Sequence, residues 1–156
     1  MSWADRLLRL AMGDPTREVV EHLLRFQHAM AALDHSIAAA AAQAPNAGAE
    51  NGLRALTTNA DRLASALTRG LQERKQASTT APAAVLNGGG RNHWGRLVDV
   101  LEGSRRLYGE ILRDTPRLLE LDPTLADLLR ELNDGLATQL VGLRALIARA
   151  DPQALD

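Results

Sequence analysis

Between positions 19 and 44 the apolar residues fall at Val19, Leu23, Phe26, Met30, Leu33, Ile37, Ala40 and Ala44, at alternating steps of four and three. A stripe of that period lies along one side of an α-helix. Sustained over about four heptads, it describes a helix packed nearly parallel to its neighbours. Such a helix cannot hide its stripe alone, so the chain must supply partners of similar length. Three more stretches do so: the seam Leu53, Leu56, Ala60, Leu63, Leu67 and Gly70 or Leu71; a fourth helix carrying Trp94, Leu97, Val98, Leu101, Leu107, Tyr108, Ile111 and Leu112, of which Leu107 and Leu112 are additions to its seam; then the seam Leu125, Leu129, Leu132, Leu136, Leu143 and Ile147. Helices of roughly 22–30 residues would each be on the order of 33–45 Å long, a matched set. With 27 Ala, 28 Leu and only 3% aromatic residues, the chain favours helix over strand and an aliphatic core. The expected fold is all-α, an up-and-down four-helix bundle with a short extra N-terminal helix, in one domain covering 1–156.

Local signals set the boundaries. Ser2 and Asp5 form a capping-box pattern ahead of a first helix whose Trp3, Leu7, Leu10 and Ala11 share a face, and Gly13 closes it. Asp14-Pro15 and Asp122-Pro123 each read as an N-cap followed by proline at the first helical position. Pro45 and Gly48 end the second helix, and the third is expected from Glu50 to Lys75. The fourth should break or kink at Asp114-Thr115-Pro116, since proline removes a donor and disfavours helix in the residue before it. The fifth should stop at Asp151-Pro152. Positions 76–92 lose the apolar period and contain Pro82 and Gly88-Gly89-Gly90, which reads as a flexible linker between helical pairs 15–75 and 93–150.

Composition narrows the function classes. The formal net charge is −1 and acids interleave with the arginines, so no nucleic-acid groove is expected. The absence of cysteine excludes disulfides, thiol catalysis and Cys-ligated zinc. No apolar run approaches the ~18–20 residues of a membrane span. The start, Met1-Ser2-Trp3-Ala4-Asp5-Arg6, does not read as a signal peptide. A cytoplasmic protein is expected, with a secreted effector left open. Of 18 basic residues 17 are Arg, the bias that a GC-rich bacterial genome produces.

Few residues carry chemistry. His28 and His35 lie seven apart on the outer face of the second helix, about 10.5 Å along the axis, too far to ligate one ion. Glu18 and His22 provide two ligands, which do not make a site. No nucleophile, base and orienter come together, and no metal or other cofactor is expected. The segment Asp34-His35-Ser36-Ile37-Ala38-Ala39-Ala40-Ala41 resembles the His-Ser-Leu-Lys-Gly-Ser-Ala motif of histidine phosphotransfer domains, themselves four-helix bundles with an exposed mid-helix histidine. The resemblance implies His35 as phosphoryl acceptor. It departs at Ala38 and Ala39, where that family has Lys and Gly, so no cation steadies the phosphoryl charge. Glycines 88–90 leading into Arg91 and Arg96 offer a weak anion site on a helix N-terminus.

Leucines beyond the seams point to a partner. Leu107 and Leu112 on the fourth helix and Leu128, Leu140 and Leu146 on the fifth widen the apolar arcs beyond what one bundle core needs, beside Gly95, Gly103 and Gly109. The expected function is therefore a non-enzymatic bacterial interaction module, an adaptor, chaperone or secretion-associated factor. It would bind a protein partner, a second copy included, through apolar helix faces. A phosphotransfer domain using His35 and a ligand-sensing bundle are the alternatives.

Overall fold

All four stretches become long helices, and most of the leucines that mark them fill the core, Leu112 excepted. The computed structural model describes residues 2–12, 15–74 and 92–154, excluding the side chains of 8–12. Its helices are α1 (Trp3–Met12), α2 (Pro15–Ala42), α3 (Ala47–Glu73), α4 (His93–Leu121) and α5 (Ala126–Arg149), with a 3-10 turn at Pro123–Leu125. The fold is all-α: a four-helix bundle preceded by a short helix. Val19, Leu23, Phe26, Met30, Leu33, Ile37 and Ala40 of α2 are all buried, as are Leu53, Leu56, Leu63 and Leu67 of α3. Each fully buried leucine or phenylalanine contributes roughly 1.5–3 kcal/mol.

Caps place the helix starts. Ser2 and Asp5 exchange hydrogen bonds, Asp5 N donating to Ser2 Oγ and Ser2 N to Asp5 Oδ2, both at 3.2 Å. α3 begins three residues earlier than Glu50 because Asn46 Oδ1 accepts from Ala49 N at 2.8 Å. Gly48 thus lies in the first turn of α3. Asn92 caps α4 in the same way, accepting from Gly95 N at 2.8 Å. The rest of the expected linker, 76–91, lies outside the described residues.

Pro116 does not break α4, which runs through it to Leu121. Proline deprives the Leu112 carbonyl of its partner, but both Leu112 and Pro116 are exposed, so water replaces the lost donor. The Thr115 hydroxyl donates to the neighbouring Ile111 carbonyl at 2.6 Å. Leu118, Leu119 and Leu121 form the last turn of this helix.

Direction follows from which residues meet. Arg117 is bonded to Glu18 and Arg96 to the Gln43 carbonyl, so α4 runs antiparallel to α2. α3 packs on α2, α5 packs on both α3 and α4, and each neighbouring pair is antiparallel. The helices α2 to α5 therefore run up, down, down and up, with α3 and α4 on one diagonal. Arg74 lies at one end of the bundle, where its guanidinium grips Asp122 at 2.6 Å, and Asn92 lies at the other, bonded to the Pro152 and Ala154 carbonyls. The chain therefore leaves α3 at one end of the bundle and enters α4 at the other.

The α3–α5 contact has its own grammar. Leu63 lies over Gly135, Leu56 over Gly142, and Leu128 over Gly70, so each step of seven along one helix is matched by seven back along the other. Leu146 over Gly52 extends the row by one turn. A leucine seated in each glycine hole brings the two backbones close, and Asn59 Nδ2 reaches the Gly135 carbonyl at 3.0 Å. The α4–α5 pair is set differently: Gln139 and Ser104, both fully buried, meet at 2.8 Å. A polar pair in an aliphatic seam fixes register, because sliding either helix strands the partner's polar atoms.

Candidate interaction surface

Among the described residues, apart from Trp3 and Leu7 of α1, the large hydrophobics left exposed are Leu112 of α4 and Val141 of α5. Tyr108 and Gly109 on α4 face Ala137, Leu140 and Val141 on α5 across a groove of about 320 Å³, with Arg105 and Arg144 lining its walls. Val141 is 66% exposed, and Leu112, one turn along α4, is 47% exposed. A Cβ added at Gly109 would meet nothing within 4 Å, whereas at Gly52, Gly70, Gly135 and Gly142 it would run into a leucine of the neighbouring helix.

The five leucines expected at a partner surface separate. Leu107 is a core residue, 2% exposed, and Leu140 is also buried, forming the floor of the groove. Leu128 and Leu146 turn the other way, filling the spaces over Gly70 and Gly52 on α3. Only Leu112 stands out on the α4–α5 face. Val141 is the residue that the sequence reading missed, since one valine between seam positions carries no periodic signal.

The remaining candidates are dispersed. His35 is exposed in the middle of α2. Beside it Asp34 faces Asp61 of α3, and burial, a shared hydrogen bond and the second carboxylate push the Asp34 pKa up to about 7. Two carboxyl groups there oppose, rather than steady, a phosphoryl charge. His22 Nδ1 lies 3.2 Å from Asp114 Oδ2 at the α2–α4 seam. Among the described residues no group of three His, Asp or Glu side chains is placed to hold a metal ion. Arg91 lies outside the described residues; Arg96 is half-buried and its Nη2 donates to the Gln43 carbonyl at 3.4 Å. A second cavity, about 600 Å³, opens at the bundle end where Pro45, Asn46, His93, Leu146 and Arg149 come together. No described helix is long and apolar enough to cross a membrane. No protein-family model, no curated protein and no solved structure matches this chain.

Proposed function

We propose that this protein is a non-enzymatic interaction module, an adaptor-type factor of a bacterial cell, which docks a protein partner on the outer face of α4 and α5. One observation carries the reading: a Cβ at Gly109 would meet open space beside the exposed Val141, whereas at Gly52, Gly70, Gly135 and Gly142 it would meet a leucine of the neighbouring helix. Glycine in a helix interior is less favourable than alanine by about 1 kcal/mol, and packing offsets that deficit at α3–α5. At Gly109 nothing among the described residues offsets it. The arginine-for-lysine bias supports the bacterial assignment.

A photocrosslinking amino acid at position 141, introduced in the native host, tests the reading. It should give one discrete protein adduct, and the same group at the exposed Thr58 on α3 should not. Equal, diffuse labelling from both positions would refute it.

A further inference from the structure

The groove on the α4–α5 face is charged as well as apolar. Arg105 and Arg144 line it from opposite helices, both exposed, and among the described residues neither has an ion-pair partner. Many arginines of the bundle differ in this respect: Arg17, Arg54, Arg62, Arg74, Arg117 and Arg130 each lie within ion-pair distance of a carboxylate, although Arg106 and Arg149, which do not line the groove, do not. The chain as a whole carries a net charge of −1, so the local surplus is not the by-product of a basic protein.

From these observations we infer that the groove receives an acidic amphipathic helix. An aliphatic side chain of that helix seats over Gly109, against Val141. Arg105 and Arg144 lie on one side of Gly109 along the groove, so carboxylates one and two turns to that side of the seated residue, on the same helical face, reach them. The inference rests on the interaction reading above and adds the chemistry of the partner. Two occupants from this chain itself have the wrong charge. A second copy meeting face to face would bring the same two arginines, setting four guanidinium groups together. The helix α1, whose Trp3 and Leu7 are exposed, carries Arg6 and Arg9 against a single acid, Asp5, which is engaged by Ser2.

The test uses the purified full chain and two labelled helical peptides of one design. Leucines recur at three- and four-residue steps, flanked by glutamates in one peptide and by lysines in the other. Fluorescence anisotropy should show the glutamate peptide binding about tenfold more tightly than the lysine peptide, a preference shrinking as salt rises from about 50 to about 500 mM. Reversing both charges, Arg105→Glu with Arg144→Glu, should invert the preference. Gly109→Leu should abolish binding of the glutamate peptide while leaving the circular dichroism spectrum unchanged, since the position is open to solvent. Equal affinity for the two peptides, or binding of neither, overturns the inference, as does a doubled mass in solution that the charge-reversed variant loses. If the peptides fail while position 141 still crosslinks a discrete protein in the host, the acidic-helix inference falls and the interaction reading stands. Failure of both experiments removes both.

Discussion

Replacing Gly135 with alanine isolates the packing rule that holds α3 against α5. The added Cβ would fall inside the contact radius of Leu63 Cδ2 and lie 2.9 Å from Cδ1 and 3.0 Å from Cγ. Because Cγ is close as well as both methyls, rotating Leu63 about its last bond does not clear the clash, and the helices must separate. Overpacking of this kind costs about 1–3 kcal/mol, against roughly 1 kcal/mol returned by better helix propensity. With three Leu63 atoms at or inside 3.0 Å the cost belongs in the upper part of that range, about 2–3 kcal/mol, so the expected net loss is about 1–2 kcal/mol, read as a fall in the urea midpoint at unchanged slope. In a chain of this size that corresponds to a melting temperature lower by about 2–8 °C. Leu63→Ala alone should cost about 2–5 kcal/mol, because it empties a fully buried site. In the double variant the new methyl group occupies part of that cavity, so the two losses should fall short of additivity by at least about 1 kcal/mol. Gly109→Ala is the control: with nothing to strike, it should raise stability by about 0.5–1 kcal/mol. The reasoning fails if Gly135→Ala is as benign as Gly109→Ala, or if the double variant is strictly additive.

Two further perturbations read the buried polar groups. Asp34 keeps its proton in the folded chain up to about pH 7, whereas in the unfolded chain it ionises near its ordinary 3.8, so the folded state binds more protons between those values. Stability should therefore decline as pH rises from about 4 to 7 and level off above; unscreened, the effect would be on the order of 4 kcal/mol, and solvent at the pair reduces it to ~1–2 kcal/mol. Asp34→Asn should flatten the urea midpoint over that range, and a pH profile identical to the parent's would rule out this pair as its source. Gln139 Oε1 is buried with no hydrogen-bond partner, so replacing the pair together, Gln139→Leu with Ser104→Ala, should raise stability by about 1–3 kcal/mol. An unfolding midpoint that drops would mean that the polar pair stabilises the seam outright.

The heptads on α2 and α3 were legible because the residues they require point at the same core: Val19 through Ala40, and Leu53 through Leu71, are buried as the period demands, and only Ala44, past the end of α2, is half-buried. The seam of α5 was legible except at Gln139, the step between Leu136 and Leu143 at which the period continues with a polar side chain. The surplus leucines misled for a physical reason. Leu128 and Leu146 look spare on their own helix, and their partners Gly70 and Gly52 look merely permissive on theirs. The match exists only once α3 and α5 are set in register, which no local pattern reveals. The same limit hid the order of the helices, since the spacing between the two hairpins allows either a return at one end or a crossing to the other. Pro116 was misjudged because local rules treat proline as a break, while exposure of the Leu112 side of α4 lets water complete the backbone.

The up, down, down, up order also decides how the bundle carries mechanical load. α2 starts at the end where Arg74 holds Asp122, and α5 finishes at the opposite end, beside Asn92. A pull between Pro15 and Ala150 therefore acts along the helix axes, sliding hairpin against hairpin instead of unzipping it one turn at a time. The leucines seated over Gly70, Gly135 and Gly142 resist that slide together, since all must leave their holes before any can reach the next. Pulled between Pro15 and Ala42, the two ends of a single helix, the chain would bypass this row, and yield should come at lower force.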